Sequence, residues 1–112
     1  MGWFGGFTFA TYNKGPGTYE VLTAAGTAVG FSAGKYNPTS GAYAKMYAQA
    51  VLVSVEDGDL RFRLDGGSPS STEGHPMSSG DNVILTGTQA IKQFRAVRAG
   101  EASVTLRVTY FF

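Results

Sequence analysis

The stretch "DLRFRLDGGSPSSTEGHPM", residues 59–77, begins as an alternating run and then breaks into a loop rich in Gly, Ser and Pro. Leu60, Phe62 and Leu64 share one side of the alternation, and two arginines share the other. Because successive side chains of a strand point to opposite faces, this pattern predicts a strand with one face in a core. We expect the loop to be a corner connection, in which hydroxyl groups satisfy backbone groups.

Short β-type patterns recur along the rest of the chain. A second clear alternation occupies residues 104–110, and no window carries a sustained helical stripe, so we expect little helix. Further β-type runs, separated by Gly, Pro, Asn and Asp, occupy residues 7–12, 18–23, 27–32, 47–55, 82–87 and 91–98. About eight short strands at this spacing predict an all-β fold, a single antiparallel β-sandwich or jelly-roll-like domain.

Aromatic residues and charges are unevenly distributed. Ten of the fifteen aromatic residues, but only four charged residues, lie in residues 1–47. Exposed rings would leave much apolar area in water, at roughly 25 cal/mol per Å², so another surface is expected to cover this part of the chain. We therefore divide the sequence into an N-terminal Gly- and aromatic-rich segment, residues 1–25, and a β-sandwich domain, residues 26–112. The first segment is either an arm laid over a partner subunit or extra strands of the same core.

Composition excludes several classes of function. Nine Lys and Arg against eight Asp and Glu leave a net charge of +1, which gives no strong field for nucleic acid or anionic membranes. The absence of Cys excludes a disulfide framework and a thiolate metal site, and we expect no cofactor. The opening "MGWFGGFTFA" lacks the cationic start and unbroken apolar run of a signal peptide, which indicates synthesis in the cytoplasm.

One pattern resembles a hydrolase signature. "GFSAG", residues 30–34, matches the nucleophile elbow G-x-S-x-G, and Asp65 and His75 follow in hydrolase order. An elbow needs a helix directly after its serine, whereas Pro38 and several glycines follow here and oppose one. His75 is the only histidine, and its Gly/Ser loop favours a structural role in a turn. We therefore expect no catalytic residues.

Three other surface patterns have structural explanations. "EDGD", residues 56–59, lacks the D-x-D-x-D-G ladder of a calcium loop and is interpreted as an acidic hairpin turn, so no metal site is expected. Arg61 and Arg63 are flanked by acidic residues, which favours cross-strand ion pairs over a phosphate-binding groove. Some rings could stack on sugars, although a core or interface role is favoured for them: Trp3, Tyr36, Tyr43 and Tyr47.

A family resemblance covers roughly residues 26–112. It lies in the R-x-R-x-D-G turn at 61–66, in Pro69 and the Gly-His pair at 74–75, in Gly-Asp at 80–81, and in "FRAVR" at 94–98. "TAVGFSAGKYNPTSG" at 27–41 is similar too. With these motifs the chain resembles small β-sandwich proteins encoded among the structural genes of tailed bacteriophages and prophages. Members are usually described as head decoration, cement or other virion structural proteins.

The resemblance implies a bacteriophage virion protein without enzymatic activity. The hypothesis is a capsid decoration or cement protein that binds the major capsid protein, or another virion protein, and stabilises the head. We expect a homo-oligomer, with a trimer favoured, and no nucleic-acid or membrane partner. The alternative is a tail- or fibre-associated carbohydrate-binding β-sandwich module. Protein-interface contacts are predicted first for Trp3, Phe4, Phe7 and Phe9 and then for Tyr110 and Phe112.

Overall fold

The computed structural model describes residues 15–112. Two antiparallel sheets confirm the all-β prediction: four-stranded sheet A, in the order β1-β7-β2-β5, and three-stranded sheet B, in the order β4-β3-β6. The elements are β1 (Pro16–Ala24), α1 (Ala33–Tyr36), β2 (Ala50–Glu56), β3 (Leu60–Arg63), β4 (His75–Met77), β5 (Asn82–Thr86), α2 (Thr88–Gln93), β6 (Arg95–Arg98) and β7 (Val104–Phe111). Neither helix in this part of the chain is long and apolar enough to cross a membrane.

Both sheets contribute their inner faces to one core. The predicted alternations are confirmed, because Leu60 and Phe62 of β3 are buried and the inward residues of β7 are almost fully buried. An aromatic stack lies where the sheets meet. The ring of Phe94 lies 4.2 Å from that of Phe31 and 5.6 Å from that of Phe62, measured between centroids. The sandwich is therefore closed by aromatic packing as well as by the Val and Leu side chains of the strands.

Part of the N-terminal segment is an additional strand. β1 pairs with β7 along its whole length, from Pro16 opposite Phe111 to Ala24 opposite Val104. Of the two alternatives for residues 1–25, residues 16–24 adopt the extra strand. The strand predicted at residues 7–12 lies outside the described residues.

Two predicted strands differ from the structure. Residues 27–32 make only an isolated bridge, between Val29 and Ala96, before α1 begins at Ala33. Residues 91–98 divide into the end of α2 and the short strand β6. Ile91 and Phe94 are both buried at a spacing of three, which suits a helical turn, and a run this short does not distinguish strand from helix.

The predicted hairpin turn at residues 56–59 is wrong. β2 belongs to sheet A and β3 to sheet B, so the turn carries the chain from one sheet to the other. Asp57 has φ 68° and Gly58 has φ 141°, and these left-handed conformations redirect the backbone within two residues.

The predicted corner after β3 is instead a long hairpin loop. Residues 75–77 return as β4 and pair with β3 inside sheet B. Three residues are too few to show alternation, and Pro76 is tolerated because β4 is an edge strand. The loop folds back on its own sheet: Arg61 Nη1 donates a 2.9 Å hydrogen bond to the carbonyl of Gly74, and Pro69 is buried.

Candidate functional site

A groove lies between the two sheets, at one open side of the sandwich. β4 and β5 are edge strands of different sheets, and the turn at residues 78–81 joins them directly. The groove between them has a volume of about 540 Å³, in the range of sites that hold a small molecule or a large side chain. Its apolar lining comes from Phe62, Leu64, Pro76, Met77, Val83 and Leu85, and its polar rim from His75, Asp81 and Asn82.

A tight turn, residues 78–81, holds the rim residue Asp81 of this groove. Ser78 N–H donates to the Oδ2 atom of Asp81 at 2.7 Å, and Asp81 N–H donates to the Ser78 carbonyl at 2.9 Å. Gly80, with φ 92°, donates its N–H to the carbonyl of Val55 in β2 at 2.8 Å. The rim carboxylate is therefore held in place by the backbone, and the turn is tied to sheet A.

His75 lies at the groove and not in an isolated turn. It is the first residue of β4, and its exposed ring lies 5.4 Å from the ring of Phe62. Gly74, with φ 127°, lets the backbone just before His75 pass close to β3. A Cβ at position 74 would lie only 3.0 Å from the Phe62 carbonyl oxygen. A second cleft of about 350 Å³ adjoins His75 and is lined also by Arg63, Leu64 and Asp65.

The carboxylate of Asp65, in that second cleft, is paired with Arg63. Arg63 Nε donates to Asp65 Oδ1 at 3.0 Å, Arg63 Nη2 donates to Oδ2, and the Gly67 N–H donates to Oδ1 at 3.1 Å. These hydrogen bonds lower the pKa of Asp65 to about 2, and those from Arg63 have the largest effect. The predicted cross-strand pairing is thus wrong for Arg63, whose partner lies two residues along the same segment. Both oxygens of the Asp65 carboxylate are thus already engaged by hydrogen bonds.

The residues of the hydrolase pattern belong to separate clusters. Ser32 Oγ donates to Glu20 Oε1 at 2.6 Å, and the Ser32 N–H donates to Glu20 Oε2 at 3.1 Å. The helix that was not expected after the serine does form, although it spans only four residues. Within residues 15–112, no hydrogen bond joins His75 to Ser32 or Asp65, so these three residues do not form a triad in the structure.

Tyr110 completes the cluster around Glu20. Its hydroxyl donates to Oε2 of Glu20, while the ring is fully buried against the edge of Phe31. Burial, and then the hydrogen bond and charge of Glu20, raise the pKa of Tyr110 well above its ordinary value. Glu20 therefore joins three parts of the chain: β1, the start of α1, and β7.

The predicted contact residues fall into two groups. Trp3, Phe4, Phe7 and Phe9 lie outside the described residues. Tyr110 is 0% exposed and Phe112 is 6% exposed. The ring of Phe112 stacks on that of Tyr43 at a centroid distance of 4.7 Å. The rings of Tyr110 and Phe112 form part of the chain's own core, so neither offers a surface to a partner in this structure.

The outer face of sheet A carries exposed apolar side chains that the sequence patterns did not single out. Tyr19 and Val21 of β1 are each 48% exposed and lie in register with Thr109 and Arg107 of β7. Arg107 donates to Glu56 Oε1 at 3.1 Å and to the Tyr19 hydroxyl at 2.9 Å. Alternation alone places Tyr19 and Val21 on one face of β1, but it does not show whether that face is covered.

Three of the rings that were considered for sugar stacking lie in the described chain. Tyr36 and Tyr43 are partly buried against the core. Tyr47 is 41% exposed, but Lys92 Nζ lies 4.5 Å from its ring centroid and occupies one face of the ring. Residues 15–112 also contain no group of three or more His, Cys, Asp or Glu side chains that could hold a metal ion.

The groove and the outer face of sheet A are therefore the two candidate sites. Both are built from apolar side chains with a few fixed polar groups, an arrangement suited to binding another molecule. Comparison of the chain with family models, with curated proteins and with solved structures gave no match.

Proposed function

We propose that this chain is a structural protein of a tailed-bacteriophage virion, and specifically a capsid decoration protein that binds the major capsid protein and stabilises the head. The resemblance of residues 26–112 to virion β-sandwich proteins supports this proposal. The observation that carries it in the structure is the outer face of sheet A, defined by Tyr19, Val21, Leu52 and Arg107.

This face has the composition of a protein-binding surface. Tyr and Arg are enriched at protein interfaces, and a broad sheet face presents them without a deep pocket. Tyr19 and Thr109 stand in one row with Leu52 of β2, which is partly buried, so the apolar surface extends over three strands. Tyr19 and Val21 are the exposed apolar side chains of this surface, and a docked partner would cover them.

The charges on the face are already paired, which favours a protein partner over a polyanion. Arg107 lies between Glu56 and the Tyr19 hydroxyl, both within hydrogen-bond distance. An arginine held in this way adds little net positive field, and the net charge of the whole chain is only +1. Docking then depends on apolar area and on shape.

Repeated copies would make modest contacts sufficient. A capsid offers many equivalent sites, and an oligomer that docks through several of them at once gains effective concentration without any new type of contact. We therefore include self-association, with a trimer favoured, in the proposal. Trp3, Phe4, Phe7 and Phe9 remain the proposed contacts of the N-terminal segment.

The test has two parts. Mass spectrometry of purified particles should find the protein in many copies, and recombinant chain added to capsids that lack it should co-sediment with them. Val21→Lys places a charge in the proposed interface and should weaken co-sedimentation by at least about tenfold, equivalent to about 1.4 kcal/mol. Ser71→Lys, on the exposed hairpin loop, is the matched control and should bind like the wild type.

Two outcomes would overturn the proposal. The first is the absence of the protein from particles. The second is equal capsid binding by both lysine variants, which would show that the outer face of sheet A is not the contact surface. A few copies confined to the tail, together with measurable glycan binding, would instead support the carbohydrate-binding alternative.

A further inference from the structure

The groove between β4 and β5 has the features of a site for an extended polypeptide. β5 pairs with β2 on one side, and its other side is an edge of sheet A. Edge strands are usually protected from pairing by Lys, by Pro or by inward-pointing charges, and "NVILT" of β5 has none of these. A segment laid along β5 could pair with its free backbone groups and insert side chains between the two sheets.

The groove also determines what kind of side chain would fit. Phe62, Met77 and Leu85 are core residues that line it, so an inserted aromatic ring would extend the existing core. Asp81 at the rim forms no ion pair within residues 15–112. The groove therefore favours a partner segment that is rich in aromatic residues and carries no acidic residue.

The first fourteen residues of the chain have this chemistry. "MGWFGGFTFATYNK" contains five aromatic residues, no Asp or Glu, and one lysine. Fully extended, fourteen residues reach at most roughly 50 Å. The segment leads into Gly15 at the start of β1, on the opposite edge of sheet A from β5.

This placement permits exchange between copies, and the self-association in the proposed function favours it. When two copies associate head to tail, the β1 edge of one lies beside the β5 edge of the next, and such contacts close into a ring where the rotation between copies allows it. Within one molecule, the same segment could also reach the groove, by crossing the width of the four-stranded sheet, roughly 14 Å. We infer that residues 1–14 of one copy occupy the groove between β4 and β5 of a second copy, and this inference rests on the self-association in the proposed function.

The chain has no cysteine, so disulfide trapping can test the inference directly on the full-length protein. Single variants Gly6→Cys, Thr8→Cys and Ala10→Cys leave the aromatic residues of the segment intact. Each is mixed under oxidising conditions with Asn82→Cys, whose side chain is exposed at the groove rim. The control is Thr23→Cys, which is exposed on β1 at the other edge of the same sheet.

At least one of the three mixtures should give on the order of tenfold more mixed dimer with Asn82→Cys than with Thr23→Cys, because docking raises the local thiol concentration. Mass spectrometry of the linked peptides identifies the mixed species. Equal yields with both partners, or no mixed dimer at all three positions, would overturn the inference. The inference would also be overturned if the double variant Thr8→Cys/Asn82→Cys formed an intramolecular disulfide while the mixtures gave no mixed dimer. Each groove would then hold the segment of its own molecule.

Capsid binding by the wild-type chain distinguishes this inference from the proposed function. Co-sedimentation with capsids without selective trapping would support the function and overturn the segment exchange. Selective trapping without capsid binding would support the exchange and overturn the decoration role.

Discussion

The hydroxyl of Tyr110 donates a hydrogen bond to the carboxylate of Glu20 and thereby joins β7 to the edge strand β1 from the inside of the sandwich. Glu20 also accepts two hydrogen bonds from Ser32, which precedes α1. A single carboxylate on an edge strand thus accepts three hydrogen bonds that link distant parts of the chain. These contacts supplement the backbone pairing with β7 that holds residues 16–24 in the sheet.

Tyr110→Phe should lower the free energy of unfolding by about 1.5–3 kcal/mol, because it removes a buried hydrogen bond to a charged group without leaving a large cavity. Urea denaturation measures the change. Tyr19→Phe is the control: its hydroxyl is on the exposed face, and the loss should stay within about 0.5 kcal/mol. Equal losses in the two variants would contradict the role assigned to the Glu20 cluster.

Stability should also fall in alkaline solution because of Tyr110. Its pKa is raised in the folded state, so the neutral hydroxyl is favoured there, and the contribution is fully present below the ordinary tyrosine pKa of about 10. As the pH rises above that value, the unfolded chain ionises while folded Tyr110 does not, and the free energy of unfolding decreases. Denaturation at about pH 9 and about pH 11 should show this decrease in the wild type and a smaller one in Tyr110→Phe. The same decrease in both proteins would exclude Tyr110 as its source.

Asp65 should titrate with a pKa of about 2, as measured by NMR of its carboxylate carbon. The hydrogen bonds from Arg63 are the main cause, so Arg63→Gln should raise this pKa towards its ordinary value of about 3.9. Because the folded pKa is depressed, the ion pair contributes stability above about pH 4 and loses it as the pH falls through about 2. Arg61→Gln is the control, since that guanidinium donates to the Gly74 carbonyl. A similar rise in both variants would refute a specific Arg63–Asp65 effect.

Gly74→Ala should destabilise the protein by about 1–3 kcal/mol. The residue has φ 127°, and an added Cβ would lie 3.0 Å from the Phe62 carbonyl oxygen and 3.1 Å from Pro69 Cβ, so strain and crowding act together. Thermal unfolding measures the loss. Gly100→Ala, where a Cβ would meet nothing within 4 Å and φ is not positive, should change stability by less than about 0.5 kcal/mol. If Gly74→Ala left the stability nearly unchanged, the hairpin loop would be able to relieve the crowding by a small shift, contrary to this prediction.

The parts of the fold that follow from alternation were predictable from the sequence. β3 and β7 are long enough, and sufficiently one-sided, for their inward residues to be identified. α1 was not predictable, because Ser32, the residue before it, is held by Glu20, twelve residues earlier in the chain. Local patterns carry no information about such a partner.

The groove could not be predicted for a similar reason. It exists because two edge strands from different sheets face each other, and sheet membership depends on long-range pairing and not on periodicity. His75 was expected in a turn, since three residues that include Pro76 do not show a strand pattern. The exposed face of β1 could likewise not be predicted from the sequence, because alternation defines two faces without showing which one is covered.

The order of strands in sheet A also determines when the molecule can fold during its synthesis. β7, the last strand along the sequence, lies between β1 and β2 and is the only described partner of β1. Residues 104–111 must therefore be synthesised before β1 can pair with β7. The loop closed by this pairing spans most of the polypeptide. β1 therefore joins this sheet only after β7 has been synthesised, and such non-local pairing is typically slow, on the order of milliseconds to seconds.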